Sequence, residues 1–265
     1  MYYAGIDIGS SMTKVVIIDS QEKIVVQNIE PTGAEHSLLA GKVMDDTLNQ
    51  AGMKQEQLSF IMATGYGRIN VPFAHRQMSE ITCQAVGIQA IFPEAKTIID
   101  IGGQDAKGLK LDEGRLLDFV MNDKCAAGTG RFLEILADSL DLDLADFGPL
   151  SQKAESMVQI NNFCTVFARD EITDRISEGK KINDIIAGVH DAIAGRVVNM
   201  VKRIKIEPQV VFTAGLSTNS GMVKAIEKHT GFDVSVPSSP FTTVALGAAI
   251  LGKKIWQENS RDEKK

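Results

Sequence analysis

The sequence predicts an α/β protein of two lobes, each opening on an antiparallel β meander. Three observations carry that prediction. Short β-branched runs punctuated by glycine alternate with amphipathic helical stretches through the 265 residues. Ile6-Asp7-Ile8-Gly9 returns as Ile99-Asp100-Ile101-Gly102, 93 residues later. At the same offset Lys14 matches Lys107 and Asp19 matches Asp112 without a gap. A match that keeps phase through Lys and Asp reads as an internal duplication.

In chain order, residues 2–8, 13–19 and 23–29 are apolar runs separated by tight turns, so they form the first meander. A helix is expected over 38–50, where Leu39, Val43, Met44 and Leu48 fall on one face. Residues 58–63 read as a strand ending in the two-glycine turn Thr64-Gly65-Tyr66-Gly67-Arg68. A helix over 77–90 carries Cys83 among small residues, which makes it a buried structural thiol. The second meander starts at 97–101. Residues 131–140 are expected to be helical, 141–149 loop and 157–160 strand-like. Helices are expected over 165–177, closed by Gly179, and over 182–204, where Gly188 and Gly195 allow close packing. A buried strand over 210–213, a helix over 221–228, a strand over 234–236 and a terminal helix over 242–256 complete the chain. The charged residues 259–265 form a frayed tail. Lobe I therefore spans 1–95, completed by the C-terminal helix at 242–258, and lobe II spans 96–241.

Composition narrows the function classes. With 44% apolar and 23% charged residues the chain is an ordinary globular protein. A net charge of -6 argues against binding nucleic acid or an anionic membrane. No apolar run reaches spanning length. The start Met-Tyr-Tyr-Ala-Gly-Ile-Asp lacks a signal peptide's basic and apolar regions, so a cytoplasmic location is expected. Three cysteines cannot build a disulfide framework.

Neither a GxxxxGK[ST] loop nor a GxGxxG run is present. Two acidic glycine turns stand in their place, each at the end of a strand. Glycine lets backbone N–H groups approach phosphate oxygens, which suits Gly9, Gly102 and Gly103. Ser10, Ser11 and Thr13 add hydroxyls, and Lys14 adds a point charge. Asp7 and Asp100, each just before a glycine turn, suit a hydrated Mg²⁺. Two such turns would clasp one triphosphate from both sides. The runs Asp7–Lys14, Asp100–Asp105 and 210–219 resemble the phosphate-1, phosphate-2 and adenosine motifs of the actin, Hsp70 and sugar-kinase superfamily. That resemblance implies two ribonuclease-H-like lobes with a Mg-ATP cleft between them, and ATP/ADP as ligand. It places Lys14 and Gln104 on phosphate, and Gly215, Asn219 and Ser220 beside the nucleoside. Ala214-Gly215 stands where the superfamily often has two adjacent glycines.

Cys125 and Cys164, 39 residues apart, are each read as opening a helix. A helix N-terminus favours an anionic centre, a ligated thiolate included. Two thiols are too few for an Fe–S cluster, but a two-fold dimer would supply four. Spacing alone leaves buried or redox-active thiols equally open.

The surrounding residues resemble one family throughout. Asn122-Asp123-Lys124-Cys125-Ala126-Ala127-Gly128-Thr129-Gly130-Arg131-Phe132-Leu133 and Cys164-Thr165-Val166-Phe167-Ala168 are similar to activators of 2-hydroxyacyl-CoA dehydratases. That family also includes ATPase subunits of benzoyl-CoA reductases and reductases of double-cubane-cluster proteins. The resemblance implies a homodimer with one [4Fe-4S] cluster held by Cys125 and Cys164. It implies ATP-driven electron transfer to a partner iron–sulfur enzyme, with a ferredoxin or flavodoxin as donor. It makes Asp7, Asp100, Gln104 and Glu171 the catalytic candidates, Glu171 as the group orienting the attacking water. Where the family commonly reads Glu-Ser-Glu, this chain has Arg169-Asp170-Glu171. A small-molecule kinase of the superfamily and a non-enzymatic actin-like protein are the competing readings.

Overall fold

The computed structural model describes residues 1–33, 35–161 and 164–262. The chain divides into two compact units. One comprises Met1–Glu94, Glu113–Leu116 and Phe241–Lys265, the other Ala95–Asp112 and Leu117–Pro240.

In the first unit, β1 (Tyr2–Ile8), β2 (Met12–Asp19) and β3 (Ile24–Pro31) form the expected meander. Helix α1 (His36–Gln50) then leads to β4 (Leu58–Thr64), which runs parallel to β1. A short β5 (Arg76–Gln77), without a strand-like pattern in the sequence, completes a sheet of order β3-β2-β1-β4-β5. Helix α2 (Glu80–Ile91) starts where the Ser79 hydroxyl accepts from the Thr82 N–H.

Alternation along the strands loads both faces of this sheet. Ile6, Ile8, Val15 and Ile17 face a core shared with Val43, Met44 and Leu48 of α1. Tyr3, Val16 and Ile18 face the opposite core, shared with Cys83 and residues of the terminal helix described below.

The second unit repeats the plan. β6 (Thr97–Ile101) and β7 (Ala106–Asp112) end where β1 and β2 end, offset by 93 residues. β8 (Arg115–Asn122) follows, and the chain continues through α3 (Gly130–Leu140), α4 (Leu144–Ser151), α5 (Thr165–Ser177) and α6 (Ile182–Val201). β9 (Val210–Thr213) pairs parallel to β6, α7 (Ser220–Thr230) follows, and β10 (Val234–Ser235) closes a sheet of order β10-β9-β6-β7-β8. Its core gathers Phe132, Leu136, Phe147, Ile186, Ile193 and Phe212 among others. Finally α8 (Thr243–Asp262) returns to the first unit. A Cβ on Gly247 would lie 1.8 Å from the Cys83 carbonyl oxygen, and one on Gly87 1.9 Å from that of Thr243. Bare glycines therefore let α2 and α8 touch backbone to backbone.

Three local expectations need correction. The stretch 141–149 is not all loop, because the Asp143 carboxylate accepts from the Ala145 N–H and starts α4. Residues 157–160 form no strand. Their backbone lies on α6 instead: a Cβ on Gly188 would fall 1.8 Å from the Val158 carbonyl oxygen. The tail is helical through Asp262, and its last three residues lie outside those described.

Candidate functional site

Asp7 is the last residue but one of β1 and is 2% exposed. The antiparallel register sets Lys14 of β2 directly opposite, and its Nζ donates to Asp7 Oδ2 at 2.9 Å. The parallel register of β4 sets Thr64 on the other side. The Gly9 N–H donates to the Met12 carbonyl at 3.1 Å, closing a turn that leaves Ser10 and Ser11 exposed. Thr13 is buried and shares a 3.0 Å hydrogen bond with Thr32. The Thr64–Arg68 turn rests on this acidic turn, with the Gly67 N–H donating to the Ile8 carbonyl at 2.9 Å. Gly65 has φ +83°, and a Cβ there would lie 2.4 Å from Asp7 Oδ1, so no other residue type fits.

The second unit rebuilds the same constellation. Asp100 is paired across β6 and β7 with Lys107, and along β9 with Thr213. The Gly102 N–H donates to the Asp105 carbonyl at 2.9 Å, the bond made by Gly9 and Met12 shifted by the repeat. Lys107 Nζ bonds Asp105 Oδ1 at 2.7 Å and stands 3.9 Å from Asp100 Oδ1. All three groups are buried. Two buried carboxylates beside one lysine are the donor type that a hydrated divalent ion takes. Gly102 and Gly103 are half-buried and Gln104 is exposed; with the Gly102 N–H spent on Asp105, the Gly103 N–H and the Gln104 carboxamide are the donors within reach. Asp105, Thr64 and Thr213 lie within motifs named from the sequence, but the sequence reading gives none of them a role at the site. The last two carry a legible signal, a threonine ending the parallel strand beside each acidic residue.

The duplication extends one residue further. Ala214 follows Thr213 as Gly65 follows Thr64, and it holds φ 65° and ψ -168° despite its side chain. Gly215 begins a short 3-10 turn over Gly215–Thr218. The Asn219 carboxamide oxygen caps α7, accepting from the Gly221 and Met222 N–H groups at 2.9 and 3.1 Å. Its amide nitrogen must then be the group 3.3 Å from His190 Nε2. That makes Nε2 an acceptor and His190 neutral. Burial agrees, pushing the His190 pKa down to about 4. Ser220 Oγ accepts from the Gln152 amide at 2.5 Å. These two residues, expected beside a nucleoside, thus also anchor α7.

Of the three thiols, Cys83 is sealed at 0% exposure. Burial first, then the nearby Asp7 and Glu80 charges, push its pKa up to about 12. Cys125 and Cys164 are both exposed. Cys164 is the N-cap of α5, as expected, with its carbonyl accepting from the Ala168 N–H at 2.8 Å. Cys125 does not open a helix. It lies in the turn after β8, because Gly128 has φ +88° and helical backbone begins only at Gly130. The Asn122 amide orders this turn by donating to the Cys125 and Ala127 carbonyls at 2.8 and 3.1 Å. The first N–H groups of α3 are spent on the acidic turn: Gly130 donates to the Gly102 carbonyl and Arg131 to that of Gly103, each at 2.8 Å. Glu171 is buried and accepts from the Asn161 backbone N–H at 3.1 and 3.2 Å, with Arg175 at 3.5 Å. It therefore braces Asn161, three residues before Cys164. Arg169 is exposed on α5.

Among the described residues no group of three or more His, Cys, Asp or Glu could hold a metal ion. A single chain offers two reachable thiols and one sealed one. That donor set fits as half of the four thiolates an iron–sulfur cluster takes, and not as a whole site.

A family model described as the BadF/BadG/BcrA/BcrD ATPase family matches residues 4–252. The 2-hydroxyisocaproyl-CoA dehydratase activator of Clostridioides difficile is 43% identical over 265 residues, 100% of this chain and 99% of that protein. The (R)-2-hydroxyglutaryl-CoA dehydratase activating ATPase of Acidaminococcus fermentans is 40% identical, covering 96% of this chain and 98% of its own length. The solved structure of the Clostridium difficile activator with bound ADPNP superposes with a TM-score of 0.93 at 42% identity, covering 99% of this chain and 98% of that one. The two mixed sheets with their helices are those of the actin/Hsp70/sugar-kinase fold.

Proposed function

The chain belongs to the BadF/BadG/BcrA/BcrD ATPase family, and from that premise we propose that it is an ATP-driven electron-transfer activator. Its acceptor is an iron–sulfur enzyme of the 2-hydroxyacyl-CoA dehydratase, benzoyl-CoA reductase or double-cubane class, and its donor a ferredoxin or flavodoxin. Relatives named as dehydratase activators, and one named as a subunit of benzoyl-CoA reductase, support that partner class. The working form is a cytoplasmic homodimer. Cys125 and Cys164 hold one [4Fe-4S] cluster together with the same pair from a second copy. When bound, that group supplies a single low-potential electron.

The rest of the work falls to this chain's own side chains. Asp7 and Asp100 orient Mg²⁺ through water, and Lys14 with the Ser10 and Ser11 hydroxyls neutralises phosphate charge. The Gly102 and Gly103 backbone and Gln104 read the γ-phosphate end. Gly215, Asn219 and Ser220 flank the nucleoside. Glu171 holds Asn161, three residues before Cys164, and its carboxylate, engaged by Asn161 and Arg175, reaches water only after those contacts loosen.

One observation carries the coupling. The carbonyls of Gly102 and Gly103 accept from the N–H groups of Gly130 and Arg131. Phosphate gripping those glycines cannot move the turn without moving the start of α3, and the Cys125 loop lies immediately before it. The test is reduction of a purified dehydratase partner by reduced, iron-loaded protein under anaerobic conditions. Reduction should require ATP and stop with ADP alone. Equal reduction without nucleotide would refute the coupling.

A further inference from the structure

Asn219 carries more than its cap requires. Its carboxamide oxygen accepts from the Gly221 and Met222 N–H groups, and that alone starts α7. Serine, threonine or aspartate would cap as well, so the amide nitrogen is surplus to the helix. That nitrogen lies 3.3 Å from His190 Nε2 on α6. A primary amide has two N–H bonds, and the second has no protein partner among the described residues. Asn219 is half-buried, not sealed.

His190 occupies its place against its own stability. It is 1% exposed and stands edge-on to Phe147 of α4, with ring centroids 6.4 Å apart. With Nε2 accepting, the proton of the neutral imidazole sits on Nδ1. Nδ1 has no hydrogen-bond partner among the described residues. Such a buried orphan is unfavourable, and an apolar side chain of similar size would not carry it. A bare Gly221 makes room for the ring, since a Cβ there would lie 2.5 Å from His190 Nδ1. The contact with Asn219 is the one hydrogen bond that the imidazole makes among the described residues.

We propose that His190 is a positioning residue for the nucleotide: it holds the Asn219 carboxamide so that the remaining N–H meets an acceptor on the nucleoside. This rests on the reading that sets Asn219 beside the nucleoside. Without Nε2 the amide nitrogen has no anchor. Asn219 then keeps its cap but loses the fixed plane in which its second N–H is offered, so binding must order it again. The phosphate end of the ligand does not pass through this contact.

The experiment is calorimetry on the anaerobically purified, iron-loaded protein, with MgADP and inorganic tripolyphosphate as probes and steady-state ATP hydrolysis beside it. His190→Leu should raise the ADP Kd by about fivefold to tenfold, the loss expected from one neutral hydrogen bond, and leave tripolyphosphate binding unchanged. The KM for ATP should rise while kcat stays within about twofold. His190→Gln, whose carboxamide oxygen accepts in place of Nε2, should bring ADP binding back to within about twofold. Asn219→Ser keeps a cap but removes the amide, and in that background His190→Leu should have no further effect. Equal weakening of ADP and tripolyphosphate by His190→Leu would show general loosening and overturn the proposal, as would an effect that adds fully to that of Asn219→Ser. If Asn219→Ser weakens ADP and His190→Leu does not, the nucleoside placement stands and the role of His190 falls. If Asn219→Ser itself leaves the ADP Kd unchanged, the nucleoside placement fails and takes the proposal with it. Should the leucine variant not fold, nitrogen-15 spectra of the unaltered protein still decide. His190 should carry its proton on Nδ1, and its Nε2 signal should shift with ADP but not with tripolyphosphate. A proton on Nε2, or equal shifts with both probes, would refute the proposal.

Discussion

Replacing Ala214 by glycine should stabilise the protein. Ala214 holds φ 65° and ψ -168°, backbone that a Cβ makes unfavourable. Residues kept in such regions cost of order 1–3 kcal/mol. Glycine relieves that strain but gives back about 0.5–1 kcal/mol through its greater freedom when unfolded. The mid-range values, about 2 kcal/mol relieved and about 0.75 kcal/mol given back, leave a net gain of about 1 kcal/mol. At about 2–4 °C per kcal/mol for a chain of this size, the melting temperature should rise by about 2–5 °C. The assay is differential scanning calorimetry of both proteins without nucleotide, because a bound ligand shifts the transition by itself. The register gives the prediction wider meaning. Ala214 follows the threonine beside Asp100, as Gly65, at φ +83°, follows the threonine beside Asp7. An unchanged or lowered melting temperature in Ala214→Gly would refute both the strain and the equivalence of the two turns.

Three further outcomes are expected. Asp100→Asn keeps the side-chain shape but removes the charge that organises Mg²⁺, so ATP turnover should fall by orders of magnitude with the circular dichroism spectrum unchanged; unaltered turnover would remove Asp100 from the site. Serine at Cys125 or Cys164 should abolish most bound iron and weaken the dimer, whereas Cys83→Ser should keep both; the reverse pattern in iron analysis and gel filtration would overturn the ligand assignment. His190 stays neutral when folded but takes a proton when unfolded below pH 6.5, so stability should be flat above that pH and decline from about 6.5 towards 4, by up to about 3 kcal/mol. His190→Gln should remove that slope in urea titrations, and an identical slope in both proteins would place its origin elsewhere.

The duplicated turns were legible because their chemistry is local. The repeated Asp-x-Gly at a strand end and the lysine seven residues on marked the duplication, and the registers then set Asp7 opposite Lys14 and Asp100 opposite Lys107. The shared ends of β2 at Asp19 and β7 at Asp112 follow from the same repeat. Misreadings arose where a partner distant in sequence decides the backbone. The apolar run 157–160 looks like a strand, but Gly188 draws it onto a helix. The stretch 141–149 looks like a loop by its Asp, Gly and Pro content, yet Asp143 serves as a cap and Pro149 sits in the second half of a short helix. Gly128 seemed to belong to a helix that starts at Cys125, whereas its positive φ delays the helix to Gly130. The hydrogen bonds from α3 to Gly102 and Gly103 have no sequence signature, because backbone groups make them. The sequence did show that Cys83 would be buried. That Cys125 and Cys164 are both reachable became visible only in three dimensions.

The central claim is that the acidic turn at Asp100 and the thiols at Cys125 and Cys164 respond together to nucleotide. Its most direct test is the rate at which a chelator strips iron from the reduced protein, measured anaerobically with a non-hydrolysable ATP analogue and with ADP. Ordinary coupling between two sites amounts to about 1–3 kcal/mol, so the two rates should differ by at least about fivefold. The difference should vanish in Asp100→Asn. Identical rates in the two nucleotide states of the unaltered protein would contradict the account, leaving an ATPase and an iron site that share a chain without sharing a mechanism.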